Sequence, residues 1–258
     1  LKADSTPIIE ETDELEETQR LFPLGEAGVV VRLVEEWLDA WFPRTVIHYR
    51  WNYDECAQFA SRTIAREVLP GFPGALQQKV ARQIAGWGRR ALRAQALDQP
   101  SRQEAAETVC RGLLKAFDNQ LATTKFAMGD RPTVVDAVLL GAFRAHLWAD
   151  PVPRRSLEAF PRLVQWMNSP PEQMASDAHS TLDSPTEFAQ FVLNEMRGEY
   201  RGYILGNAAA RAEGSKAFEL DLGDGMYSYL ARGYPEMSRR YTTEKIFAQA
   251  GQGQDHLV

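Results

Sequence analysis

Gly129-Asp130-Arg131-Pro132-Thr133-Val134-Val135-Asp136-Ala137-Val138-Leu139-Leu140 reads as a turn, a helix cap and a buried helix in immediate succession. Thr133 is a preferred N-cap residue. The acid three positions on, Asp136, can reach back to the Thr133 backbone N–H while the Thr133 hydroxyl accepts from the Asp136 N–H, the two halves of a capping box. The residues that follow, through Ala142 and Phe143, are apolar almost all round. A helix tolerates that only when neighbours cover it on most sides, so this helix is expected at the centre of the fold.

A Gly-Asp-x-Pro-Thr-x-x-Asp-Ala entry into a buried helix resembles the start of the core helix in the all-helical C-terminal domain of glutathione S-transferases. The resemblance continues through Trp148-Ala149-Asp150-Pro151-Val152-Pro153 and then Leu157 to Met167, which looks like the family's next helix with its Phe-Pro-x-Leu-x-x-Trp pattern at Phe160, Pro161, Leu163 and Trp166. Capping boxes are common, and Pro-Arg-Leu-Val-x-Trp alone is an ordinary amphipathic helix. Two ordered signatures at the family's separation carry the resemblance.

Composition fits a globular protein with a sizeable core: 258 residues, 44% of them hydrophobic. The net charge is −6, but residues 1–20 hold seven acids against Lys2 and Arg20, so −5 of it is local. The remainder offers no basic stripe to neutralise phosphates, and no nucleic-acid partner is expected. Cys56 and Cys110 lie 54 positions apart with neither a Cys-x-x-Cys nor a metal-spaced His, which reads as two free thiols in a reducing cytoplasm. No apolar run reaches the roughly 18 residues of a membrane span, and the N-terminus lacks a basic-then-apolar signal pattern, so no membrane is expected. The chain opens on Leu1, in what looks like the middle of a motif, and sequence upstream of it is expected.

Helical periodicity dominates, and the class is mainly α. The expected order is a short acidic helix over 5–19, a linker at Phe22-Pro23-Leu24-Gly25, a helix at about 26–42 stopped by Pro43, another at about 54–69, and a solvated one at 75–97. Ser101-Arg102-Gln103-Glu104 reads as a second capping box, followed by the stripe Ala106, Val109, Cys110, Leu113, Leu114, Phe117 and Leu121. Polar, Pro-rich residues 168–186 read as a linker. Beyond it lie a helix at about 186–211, a turn at Gly223-Asp224-Gly225, a helix over 226–240 and a frayed end. The organisation is then the end of a thioredoxin-like N-terminal domain with its linker over 1–22, a glutathione S-transferase C-terminal-like helical bundle over 23–168, and a linker with a C-terminal helical extension over 169–258.

The resemblance implies glutathione as co-substrate, an electrophilic small molecule as the second substrate, no metal, and a homodimer. It also points to Ala3-Asp4-Ser5-Thr6-Pro7, which resembles the acid-Ser motif opening the third helix of the thioredoxin-like domain. There Ser5 and the helix N-terminal amides would hold the γ-glutamyl carboxylate while Asp4 assists with the amine, a use of a helix N-terminus as an anion site. As residues alone, Asp4-Ser5-Thr6-Pro7 is also simply a capped helix start. The thiol-activating Tyr, Ser or Cys of the family has no counterpart here, so the catalytic residue is unknown. Trp37, Tyr49, Trp51 and Tyr53 are candidate walls of the electrophile pocket; the other reading is that these rings fill a helix interface or a dimer contact. Asp221-x-x-Asp224-Gly225 lacks the alternating oxygen ligands of a calcium loop. His146 and His179 read as a helix-surface and a linker residue, since no nucleophile motif accompanies them. Two functions follow: a transferase conjugating glutathione to an electrophile when complete, or a non-catalytic transferase-like binding or assembly module, which the C-terminal extension encourages.

Overall fold

The structure is a computed structural model that describes residues 5–13, 20–169 and 185–252. Asp4, His179, the acidic stretch 14–19, the linker residues 170–184 and the end of the chain from 253 lie outside the described residues. The fold is mainly α, a glutathione S-transferase C-terminal-like helical bundle with a helical extension. Its helices are α1 (Ser5–Asp13), α2 (Gly25–Ala40), α3 (Pro43–Asn52), α4 (Asp54–Val68), α5 (Gly74–Ala94), α6 (Pro100–Gln120), α7 (Val134–Ala142), α8 (Pro151–Leu157), α9 (Pro161–Met167), α10 (Glu187–Glu195), α11 (Arg201–Glu213) and α12 (Gly233–Gln252). π-helical turns, Phe143–Leu147 and Met196–Tyr200, continue α7 and α10.

The cap of α7 is built from Asp136. Its Oδ2 accepts from the Thr133 N–H at 2.8 Å and the Thr133 hydroxyl at 3.1 Å, and its Oδ1 accepts from the Ala127 N–H at 2.9 Å. The same carboxylate therefore closes the helix and pins the preceding loop. Burial pushes it up to about 6, so at neutral pH it is ionised and free to accept all three donors. Behind the cap, α7 lies at the centre. Val134, Val135 and Leu139 are fully buried in one core cluster with Val31, Val34 and Trp37 of α2, Leu113, Leu114 and Phe117 of α6, and Phe188, Ala189 and Val192 of α10.

The C-terminal extension shares this core. Thr186 caps α10, accepting from the Ala189 N–H at 3.1 Å and donating to the Ala127 carbonyl at 2.9 Å, so one side chain starts the extension and ties it to the α7 loop. Tyr200 donates to Glu36 at 2.8 Å. Helix α12 crosses to α1, where Tyr241 and Lys245 meet Glu10. The same Glu10 pairs with Arg32 of α2, and Thr6 donates to buried Glu35 at 2.7 Å. α1 is thus held from both sides.

Three local expectations are corrected. The second capping box does not form: Pro100 takes the first helical position, where its missing N–H costs nothing, Gln99 becomes the N-cap, and Ser101 sits inside α6 bonded to the Tyr227 hydroxyl at 2.8 Å. The stretch from Leu157 to Met167 is two helices, because the residue before Pro161 is driven out of the α region. Residues 226–240 do not form one helix. Strands β1 (Ala217–Asp221) and β2 (Met226–Leu230) make an antiparallel hairpin, with Phe218 opposite Tyr229 and Leu220 opposite Tyr227. Tyr227 and Tyr229 turn inward on alternate positions, and Gly223 at φ 83° supplies the left-handed backbone of the turn.

Candidate functional site

A cavity of about 520 Å³ lies where α1, α2, α3 and α7 converge. Ser5 and Ile9 of α1 form one edge, Leu38 and Asp39 of α2 a second, and Val46, Ile47, Arg50 and Trp51 of α3 a third. Small residues of α7, Ala137 and Gly141, keep the floor low. A Cβ added at Gly141 would meet no atom within 4 Å, so the space above it is open. The walls are largely apolar. The cavity's polar side chains include Ser5 and Asp39 of α1 and α2, and Arg50 and His146 of α3 and the π-helical turn after α7.

Trp51 keeps its place through a close approach. A Cβ at Gly88 of α5 would lie 2.2 Å from the Trp51 ring, so only glycine lets the helix backbone pack on the indole. Arg50 is held by a bond from its Nε to Asp150 Oδ2 at 2.8 Å, and Asp150, the N-cap residue of α8, is buried. Burial raises the Asp150 carboxyl against the opposing pull of Arg50. His146 stands on the π-helical turn with its Nδ1 buried and, among the described residues, without a hydrogen-bond partner, and burial together with Arg50 keeps the imidazole below its usual pKa. His146 is therefore neutral at pH 7 and is not a surface residue. The wider turn after Ala142 brings it to the cavity wall.

The structure brings Ser5 and Trp51 to one cavity and leaves the other aromatic candidates elsewhere. Trp37 is fully buried in the core beside Phe42. Tyr49 and Tyr53 stack at 5.8 Å on another face of α3, in a network around Glu107. Tyr53 donates to Glu107 Oε1 at 2.5 Å, and His48 Nε2 lies 2.9 Å from the same oxygen. The Asn52 amide donates both to the Leu97 carbonyl at 2.9 Å and to His48 Nδ1 at 2.8 Å, which leaves the His48 proton on Nε2, facing Glu107. Burial and Glu107 push the Tyr53 phenol up to about 12, and burial pushes Tyr49 still higher. Both phenols stay protonated at neutral pH and serve as structural donors. Arg50 and His146 were not among the sequence-derived pocket candidates. The signal available was weak: an Arg one position before Trp51, and a His just past the central helix.

Among the described residues no cluster of three or more His, Cys, Asp or Glu could hold a metal ion, and no helix is long and apolar enough to cross a membrane. The family of glutathione S-transferase C-terminal domains matches residues 82–173. No curated protein and no solved structure matches the chain. The matched stretch runs from within α5 past α9 and contains the capped α7, the floor of the cavity and His146. The likeness of the chain to the glutathione S-transferase superfamily is carried by this domain.

Proposed function

We propose that the protein conjugates glutathione to an electrophilic small molecule, with Asp4, Ser5 and the first amides of α1 taking the γ-glutamyl end and the neighbouring cavity taking the electrophile. One observation carries this reading: a single cavity of small-molecule size joins Ser5 at the start of a helix to the apolar walls around Trp51. The exposed N–H groups and positive end of α1 suit a carboxylate. The reacting species is the glutathione thiolate; its activation is assigned to no residue of this chain. The free, buried Cys56 and Cys110 accord with a reducing cytoplasm. The exposed Phe59, Val68, Phe72, Leu76 and Trp87 of the α4–α5 region accord with a homodimer.

Calorimetric titration tests the reading. S-hexylglutathione is expected to bind more tightly than glutathione, because its alkyl chain enters the cavity, and Ser5→Ala is expected to weaken both. If neither ligand gives heat, or if Ser5→Ala leaves both affinities unchanged, the non-catalytic binding or assembly role replaces conjugation.

A further inference from the structure

Helices α4 and α5, joined by the turn 69–73, pack on each other along a seam that holds Ala65, Ala81 and Ile84. Their outer faces are uncovered. At the turn Val68, Phe72 and Leu76 are exposed, and along the pair so are Phe59 and Trp87; Val68, Phe72 and Trp87 are each more than half open to solvent. These side chains do not hang from a loose loop. The Phe72 N–H donates to the Leu69 carbonyl at 3.3 Å, and Gln77 Nε2 donates to the same oxygen at 2.9 Å. A Cβ added at Gly71 or Gly74 would meet nothing within 4 Å, so the turn stands clear of the rest of the molecule. Large apolar groups gathered on one exposed element mark a contact surface.

The charges on that surface are of one sign. Helix α5 carries Lys79, Arg82, Arg89, Arg90 and Arg93 and no acid, and α4 adds Arg62 and Arg66 against Asp54, Glu55 and Glu67. A chain of net −6 thus concentrates a net +4 in one hairpin. Summed along the sequence beyond residue 20 this basic run cancels; on the folded hairpin it does not. All seven cations are exposed and none forms an ion pair among the described residues, while Glu55 is taken by Arg155 of α8. Cations and apolar side chains also share faces. Leu76, Lys79, Gln83, Trp87 and Arg90 recur at three-and-four spacing on α5, and Phe59, Arg62 and Arg66 do so on α4.

Such a surface fits an occupant that is both apolar and anionic. The apolar residues alone also suit a second copy of the chain, but a two-fold contact through this face would set two hairpins of like charge against each other. Nucleic acid would match the cations and leave Val68, Phe72 and Leu76 in water. A bilayer containing anionic lipids matches both: the headgroups take Lys and Arg, and the Phe, Leu and Trp side chains enter the boundary with the acyl chains. We infer that the α4–α5 hairpin docks the protein on an anionic membrane surface, with Val68, Phe72 and Leu76 of the turn and Trp87 of α5 as its apolar anchors. Five cations keep α5 from crossing the bilayer, so the hairpin lies in the headgroup plane. The docking does not depend on glutathione.

The full chain is mixed with vesicles of phosphatidylcholine alone or of equal parts phosphatidylcholine and phosphatidylglycerol, and the bound fraction is read by sedimentation. Binding is expected on the anionic vesicles only, and it should weaken as salt is raised because exposed charges are screened. Lipids brominated on the acyl chains report depth. They should quench part of the tryptophan fluorescence of the wild type, and most of that quenching should vanish in Trp87→Phe. Phe72→Ser with Leu76→Ser, and separately Lys79→Glu with Arg90→Glu, should each weaken binding by about tenfold or more. All four positions are exposed, so both proteins should keep the wild-type circular dichroism; should one pair fail to fold, the other carries the test. No binding to anionic vesicles overturns the inference, as does binding that neither pair weakens. A double-stranded DNA fragment that displaces the vesicles and binds the Phe72→Ser, Leu76→Ser protein as tightly as the wild type gives the face to nucleic acid and also overturns it. So does a dimer in analytical ultracentrifugation that this same pair dissociates and anionic vesicles do not, which gives the face to a second copy.

Discussion

Replacing Asp136 with Ala removes one carboxylate and three hydrogen bonds together. The Thr133 N–H and Ala127 N–H, bonded to it at 2.8 and 2.9 Å, are in residues with 1% and 0% exposure. Neither can turn to water when the carboxylate is gone. Each orphaned buried donor costs about 1–3 kcal/mol, and loss of a cap about 1 kcal/mol, partly the same energy counted twice, so the substitution is expected to cost roughly 2–4 kcal/mol. At about 2–4 °C per kcal/mol for a chain of this size, the melting temperature should fall by roughly 5–15 °C. The measurement is a thermal or urea melt at pH 7.5, where a carboxyl titrating near 6 is ionised in the native state. Asp136→Asn should fall between the two, because the amide oxygen can still serve the Ala127 N–H while its NH₂ faces the Thr133 N–H. A melt of Asp136→Ala within error of the wild type would refute the reasoning, since it would mean that the loop and the helix start are satisfied without this side chain.

Two further predictions concern a buried carboxyl of α2 and the glycine that supports Trp51. Glu35, pushed up to about 7 by burial with Asp39 and Glu36 nearby, has a native pKa above its unfolded value of about 4.5. Its contribution to stability is therefore full at and below about pH 4.5 and declines as pH rises through 7, by at most about 3 kcal/mol; urea unfolding should show Glu35→Gln gaining on the wild type between pH 5 and 8, and a constant difference would refute it. Gly88→Ala drives a methyl into the Trp51 ring, so it should cost about 1–3 kcal/mol and alter the Trp51 fluorescence environment; an unchanged melt and spectrum would show that the indole is free to move.

What was legible in the sequence is what is decided within a few residues of itself. The box between Thr133 and Asp136 spans one helical turn, and the apolar run behind it cannot be solvated, so both the cap and the central place of α7 could be read directly. The hairpin could not. Tyr227, Leu230 and Tyr234 fall at helical spacing, while Tyr227 and Tyr229 fall at strand spacing, and the same residues satisfy both templates. The decision lies in packing: Tyr203 on α11 meets the Tyr229 ring at 5.4 Å and the Phe218 ring at 5.7 Å, contacts that only paired strands deliver. Ser101 was misread for the opposite reason, because a local pattern was present but Pro100, a stronger helix-start residue, stood one place before it.

The cavity escapes a local reading altogether, because no segment that forms it is unusual alone. Ser5 opens a capped helix, Val46 and Ile47 continue an amphipathic one, and Ala137 with Gly141 are small residues on a buried one. They become a site only when these stretches, separated by scores of residues, converge with Leu38 and Asp39 of α2. His146 shows the limit most sharply. The core stripe Leu139, Phe143 and Leu147 steps by four, each member at 1% exposure or less, and His146 falls one residue short of it. On the flank of such a stripe, the width of the helical turn decides between solvent and cavity. Here the turn widens, with the Trp148 N–H reaching back five residues to the Phe143 carbonyl at 2.8 Å. Nothing between Ala142 and Trp148 announces that widening in sequence: neither Pro nor Gly interrupts it, and its residues suit an ordinary helix. The widening is instead stabilised from outside, by Arg144 donating to the Met167 carbonyl and Arg154 donating to the Trp148 carbonyl at 2.6 Å. The side chain that brings the most distinctive chemistry to the cavity is thus placed by bonds to residues as far as 23 positions away.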